Sequence, residues 1–428
     1  MTSPLWDAPV ATGRVDADVV VPGSKSMTNR ALILAALAEG RSTLRGPLRS
    51  RDTTLMAVGL RNLGATIDDT DDATWTVDGG HVTSDAAAVD VGNAGTVLRF
   101  LPPAAALAYA TVSFDGDPAA RRRPVEPLLN ALRDLGVDVD DGGRGGLPFT
   151  VGGNGRVHGG QVDLDASSSS QLVSALLLSG ARYDDGVAIR HVGDRPVPNA
   201  PHLAMTVAML TDRGVEISAD ADRWTVRPGR MQAGEIAVEP DLSSAGPFLA
   251  AAVATGGQVR LRDWPSDSTQ PGARLPSLLE QFGAITSVDA DGLVVRGSDT
   301  ISGADLDLRD EGELTPVLAA LAALASSPSR FSGIDYLRGH ETDRLAALAR
   351  ELTGLGADVR EVDDGLEIVP KPLHGNVFST YDDHRMVMAA AVVGLVTPEV
   401  EVENVATTDK TFPGFATAWE SMVNGATH

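Results

Sequence analysis

Five times along the chain, at a spacing of about seventy residues, an apolar segment ends in glycine and gives way to a β-type stretch. The segments are GLRNLGATI, ALRDLGVDV, AMLTDRGVEI, LLEQFGAI and LTGLGADV, with their glycines at 64, 136, 214, 283 and 356. Each glycine suits the position just past a helix, where the backbone turns left-handed. Short strand patterns follow: TWTVDG, LPFTVGG, RWTVRPG, LVVRG and LEIVP. A second series interleaves with the first, in which a polar cluster precedes an Ala/Leu-rich run. Its members begin at GSKSMTNR, GNAGTVLR, ASSSSQ, DLSSAG, GELTP and YDDHR. Serine, threonine, asparagine and aspartate start helices, so these read as capped N-termini of six buried helices. Six βαβ-type units are implied. A chain of 428 residues exceeds one ordinary core, and six units divide most simply into two domains of three. The crossover falls near VEPDLSS, and a strand at about 13–21 is expected to join the second half.

Composition narrows the function classes. The net charge of −23 repels nucleic acid and anionic lipid, so neither is expected as a partner. With no cysteine, the chain has no disulfide, thiolate metal site or cysteine nucleophile, and a cytoplasmic location is expected. MTSPLWDAPVATG carries neither a basic nor an apolar export region, and the longest apolar runs are too short to span a membrane.

On so acidic a chain the placement of cations is informative. Lys25, Ser26 and Arg30 mark the first helix start, and Asn93, Gly95, Thr96 and Arg99 the second. Arg121, Arg122 and Arg123 form an RRRP run, and Ser168, Ser169, Ser170 and Gln171 mark the third start. The second half adds Arg338, His340, Glu341 and Arg344, then Asp382, Asp383, His384 and Arg385, and finally Lys410. Individually these have plain explanations: a serine run is ordinarily a cap, RRRP a solvated turn, and ETDR an i,i+3 surface pair. Their joint placement at helix starts, where free N–H groups and the helix dipole favour anions, points to anion binding. A P-loop, a G-x-G-x-x-G turn and a histidine metal motif are all absent, and Arg385 beside Asp382 and Asp383 makes a bound metal unfavourable. A multiply anionic small substrate fits, with carboxylates left for acid–base work.

Taken together, PGSKSMTNRAL, GNAGTVLR, RRRP, SSSQ, GHETDR, DDHRM and KTFP resemble the 5-enolpyruvylshikimate-3-phosphate synthase family from about residue 13 to 417. The resemblance implies a two-domain inside-out α/β barrel, each domain holding three βαβαββ repeats. It places the N-terminal domain at 20–239, the other at 1–19 plus 240–428, and the hinge near 19–22 and 238–241. The implied reaction moves the enolpyruvyl group of phosphoenolpyruvate to the 5-hydroxyl of shikimate 3-phosphate and releases phosphate, with no cofactor or metal. Carried over by motif, Lys25 touches both substrates. Ser26, Arg30, Ser169, Ser170, Gln171, Asn199 and His340 hold shikimate 3-phosphate. Asn93, Gly95, Arg123, Gln171, Arg344, Arg385 and Lys410 hold phosphoenolpyruvate. Glu313 accepts the hydroxyl proton and also contacts shikimate 3-phosphate, Glu341 serves the methylene carbon, and His384 joins the proton traffic. Glyphosate is expected to inhibit, since Gly95 leaves room at the phosphoenolpyruvate position.

The chain departs from the commoner family pattern in several places. Glu313 stands for a frequent Asp, His340 for Lys, Phe100 for Pro, and Asn199 and His202 for Ser and Tyr. Of the alternatives, the UDP-N-acetylglucosamine enolpyruvyl transferases use a cysteine that this chain lacks. RNA phosphate cyclases need a nucleotide and a nucleophilic histidine. A non-catalytic anion-binding protein would not need Glu313 and Glu341 beside the cations. A monomer is the expected state.

Overall fold

Each of the six buried runs forms a helix. The computed structural model describes residues 5–80 and 86–425. The chain gathers into two compact units, one continuous over Gly23–Glu239 and one split, running up to Pro22 and resuming at Pro240. The continuous unit holds α1 (Lys25–Leu37), α2 (Arg51–Asn62), α3 (Gly95–Ala105), α4 (Glu126–Asp134), α5 (Ser170–Gly180) and α6 (Ala200–Thr211). The split unit holds α7 (Leu242–Thr255), α8 (Leu275–Gln281), α9 (Thr315–Ala323), α10 (Arg344–Gly354), α11 (His384–Gly394) and α12 (Phe415–Val423).

In the continuous unit α1, α3 and α5 pack on one another, and in the split unit α7, α9 and α11 do the same. From Met27 to Leu37 every residue of α1 is buried. A helix apolar on all sides is stable only inside a core, so three such helices supply one another's surroundings. Leu32, Ile33 and Leu34 are fully buried, and burial of such side chains is worth about 1.5–3 kcal/mol each. By contrast α2 and α4 bury one face only, as an outer helix must.

The helix starts depart from the expectation in two places. Ser24, Ser169, Asp241 and Asp383 accept backbone N–H groups from Met27, Gln171, Ser244 and Arg385. No side-chain cap serves α3 or α9. The chain enters α9 through a 3₁₀ turn, Gly312–Leu314, whose Leu314 N–H donates to the Glu311 carbonyl and replaces the cap. At the helix ends the five repeat glycines have φ between 76° and 115°, as their C′ role requires.

The sheets follow one plan. In the second repeat, Ala87–Asp90 pairs in parallel with Thr111–Asp115, which pairs antiparallel with Phe149–Gly152 and so reaches Asp138–Asp140. The first and fourth repeats take their opening strand from elsewhere in the sequence. Asp16–Val19, which precedes α1, pairs in parallel with Gln258–Arg262 of the split unit. Glu235–Ala237, which precedes α7, instead pairs with Gly40–Arg45. Among the described residues only the sixth repeat breaks the pattern: Leu5–Asp7 lies antiparallel on Glu401–Glu403 where the others carry a hairpin. The described sheets are mixed and open, and in each unit the three inner helices pack together, the helices-inside arrangement that was expected. Because each inner helix follows a parallel strand, its N-terminus lies at the strand's carboxyl end, where α/β units bind ligands.

Candidate active site

In the continuous unit the three inner helix starts are tied together by polar side chains. Asn29 Nδ2 on α1 donates to Thr96 Oγ1 on α3 at 2.7 Å, and Arg99 on α3 donates to Gln171 Oε1 on α5 at 2.8 Å. Arg30 reaches the other way, donating from Nε to Thr206 Oγ1 (2.8 Å) and toward Ser174 Oγ (3.4 Å) and the His202 carbonyl (3.3 Å). Its guanidinium lies 5.1 Å from the Phe100 ring centroid, a cation–π contact. His202 Nε2 is 3.5 Å from Ser26 Oγ. Arg123 donates to the Asn93 carbonyl at 2.9 Å and lies over Gly95, where an added Cβ would be 2.6 Å from the guanidinium. Gly23 is required for another reason: a Cβ there would be 2.1 Å from the Gly46 carbonyl oxygen.

This cluster is strongly cationic. Lys25 Nζ lies 3.4 Å from the buried Asp52 carboxylate. Arg30 and Arg99 donate to hydroxyls, carbonyls and an amide, with no carboxylate partner among the described residues. Burial lowers both guanidiniums to about 9, and for Arg99 the neighbouring Arg123 adds to the effect. Unpaired buried charge is costly, so an anion is the natural complement. Ser169 and Ser170 stand at the start of α5, and Asn199 begins α6 in the left-handed region with φ 55°.

The split unit mixes cations with carboxylates. Arg344, fully buried, makes a two-pronged pair with Asp383 (2.7 and 3.2 Å) and reaches Glu313 Oε2 (3.2 Å) and His340 Nδ1 (3.4 Å). Burial opposes its charge, but Asp383 and Glu313 outweigh this and raise its pKa. Arg385 Nε lies 3.4 Å from the same Glu313 oxygen. Glu341 is bracketed by Lys410 Nζ at 2.8 Å and His384 Nδ1 at 3.2 Å. Burial pushes the His384 imidazole down against the pull of Glu341, and its buried Nε2 has no hydrogen-bond partner among the described residues. His384 Nδ1 also lies 3.7 Å from Asp383 Oδ1, so Asp383 joins Glu341, His384 and Lys410 to Glu313, His340, Arg344 and Arg385 in one network. Glu341, Asp383 and His384 could supply three metal ligands, but Lys410 and Arg344 already occupy the two carboxylates.

Several residues carry more than their motifs suggested. ETDR does not form a surface pair: Asp343 caps α10 and Arg344 turns inward to Asp383. Asp383 holds Arg344 and the Arg385 N–H together. Asp52 has no motif signal beyond its place after the helix cap Ser50. Arg121 and Arg338 remain on surface pairs with Asp115 and Glu361.

Known proteins resolve what this arrangement belongs to. The chain aligns along 99% of its length with NikO, an enolpyruvyl transferase from Streptomyces tendae, covering 98% of that chain at a TM-score of 0.76 and 18% identity. The fold is therefore that of the enolpyruvyl transferases. An EPSP synthase from Acinetobacter baumannii is more similar, at 25% identity and a TM-score of 0.81 over 98% of this chain and 97% of that one. Residues 10–419 match the model of EPSP synthase, 3-phosphoshikimate 1-carboxyvinyltransferase, and the chain belongs to that family. Its reaction is the enolpyruvyl transfer of the shikimate pathway, from phosphoenolpyruvate to shikimate 3-phosphate. Among the described residues no helix is long and apolar enough to cross a membrane.

Proposed function

We propose that Glu313 is the base for the 5-hydroxyl of shikimate 3-phosphate and that Glu341, with Lys410 and His384, handles the proton at the phosphoenolpyruvate methylene. The observation that carries this reading is Glu313 Oε2 held by both Arg344 and Arg385. Two guanidiniums favour the ionised form, which a base requires. As the hydroxyl loses its proton to Glu313, its oxygen bonds to C2 of phosphoenolpyruvate while C3 gains a proton. Elimination then returns a proton from C3, breaks the bond between C2 and the phosphate oxygen and releases phosphate, leaving the new ether in place. Glu341 suits the C3 position because its two oxygens are hydrogen-bonded to Lys410 and His384, so protons can be exchanged along the network.

The anions are shared as charge dictates. Arg123, Arg344, Arg385 and Lys410, with Asn93, Gly95 and Gln171, bind phosphoenolpyruvate. Ser26, Arg30, Ser169, Ser170, Gln171, Asn199 and His340 bind shikimate 3-phosphate, and Lys25 contacts both. The enzyme works as a cytoplasmic monomer, which size-exclusion chromatography with light scattering checks for oligomeric state. The direct test is phosphate release from the two substrates together against each alone. Release that needs both supports the reading, and release with UDP-N-acetylglucosamine in place of shikimate 3-phosphate overturns it.

A further inference from the structure

We propose that His191 is a positioning residue that clamps the serine turn before α5 to the loop before α6, and so sets the affinity for shikimate 3-phosphate. It deepens the proposed assignment of Ser169, Ser170 and Asn199 and rests on it. His191 ends the strand Val187–His191, opposite Leu164 in parallel register. Its Nδ1 accepts the Ala166 N–H at 3.2 Å, and its Nε2 lies 2.8 Å from the Arg195 carbonyl. Both contacts are satisfied only by the neutral tautomer with the proton on Nε2. The other tautomer would keep only the 3.3 Å contact of Nδ1 to the Leu164 carbonyl and set two acceptors 2.8 Å apart at Arg195.

One imidazole therefore bridges two segments. On the first, Ala166 is fully buried, so its N–H depends on that acceptor. The Ala166 carbonyl in turn accepts the Ser169 N–H at 3.1 Å, and Ser169 Oγ accepts the Gln171 N–H at 3.2 Å. On the second, the Arg195 carbonyl also accepts Ser167 Oγ at 3.3 Å, and the loop runs on to Asn199. The segments are pressed together at Gly193, where a Cβ would be 2.0 Å from Ser167 Oγ and 2.6 Å from His191 Cε1. His191 contacts the main chain of both loops, so it acts through their placement.

The test uses the full-length protein with His191→Phe, which keeps the ring volume but loses both bonds, and His191→Asn, whose Oδ1 can still accept from Ala166. His191→Phe is expected to raise the shikimate 3-phosphate KM at least tenfold while the phosphoenolpyruvate KM and saturated kcat stay within threefold. His191→Asn, which keeps one of the two bonds, is expected to raise the shikimate 3-phosphate KM by less than half as much as His191→Phe does. An unchanged shikimate 3-phosphate KM in His191→Phe overturns the inference, as does an equal rise for both substrates or an Asn variant as impaired as Phe. Ser169→Ala/Ser170→Ala separates the two claims. If that variant leaves the shikimate 3-phosphate KM unchanged, the site assignment fails; if it raises it while His191→Phe does not, only the clamp fails.

Discussion

Gly95→Ala tests the phosphoenolpyruvate assignment with a single methyl group. A Cβ at Gly95 would lie 2.6 Å from one terminal nitrogen of Arg123 and 2.9 Å from its guanidinium carbon. Those atoms end a flexible side chain, so Arg123 moves and the backbone stays. Displacement breaks the 2.9 Å bond from the Arg123 guanidinium to the Asn93 carbonyl, which costs about 1.5 kcal/mol, the low end for a charged donor that water can partly replace. Alanine in place of a helical glycine returns about 0.5–1 kcal/mol. Stability should therefore barely change. Binding should not escape so lightly, because a hydrogen bond to a charged group is worth about 1.5–3 kcal/mol. Arg123 is displaced and not deleted, so the low end applies, and the phosphoenolpyruvate KM should rise about tenfold. Phosphate release with phosphoenolpyruvate varied at saturating shikimate 3-phosphate measures this, beside a thermal melt. A phosphoenolpyruvate KM within twofold of the parent refutes the placement of Arg123 on that substrate. A melting point lowered by more than about 3 °C refutes the claim that only a side chain gives way.

Three further variants probe other parts of the two networks. Lys25→Met should abolish turnover in a folded protein, read by phosphate release and circular dichroism; normal turnover would remove Lys25 from the site. Glu313→Gln should lower kcat at least about a hundredfold, the low end for losing general-base catalysis. It should still bind shikimate 3-phosphate in calorimetry, and absence of binding would mean structural damage instead. Arg274→Leu removes the 2.9 Å partner of Glu311, a carboxylate only 1% exposed whose pKa burial raises and Arg274 opposes. Stranding a buried charge is costly, though Arg274 is 56% exposed and the pair correspondingly screened, so about 2 kcal/mol is expected near neutral pH. A carboxyl with a raised folded pKa binds more protons folded than unfolded, so stability falls as pH rises from its unfolded value toward the folded one. The deficit of Arg274→Leu against the parent, from urea melts, should thus shrink at acid pH; a deficit independent of pH would refute the charge argument.

Much of the architecture was legible because period and cap chemistry are local. Gly64, Gly136, Gly214, Gly283 and Gly356 announce helix ends through a backbone requirement, and Ser24 and Asp241 announce starts through side chains adjacent in sequence. What stayed hidden depends on pairing over long separations. That Asp16–Val19 joins the second half is expected from the sequence, but its register on Gln258–Arg262, and that of Glu235–Ala237 on Gly40–Arg45, appears only in the hydrogen bonding. The uncapped start of α9 was equally illegible, since Glu313 in GELTP resembles a first-turn acidic residue until its carboxylate is found on Arg344 and Arg385.

Asp383 shows the limit best. In YDDHR it reads as a helix cap, and it is one, accepting the Arg385 N–H at 2.9 Å. Its second task, holding Arg344 from 39 positions away, has no local signature. Yet the two tasks are linked. By accepting the Arg385 N–H and pairing with Arg344, one buried carboxylate fixes the residues that carry both guanidiniums on Glu313, so their spacing is set before substrate arrives. The motif therefore identified the residues, while their chemistry depends on an aspartate whose value lies in where the fold brings its partners.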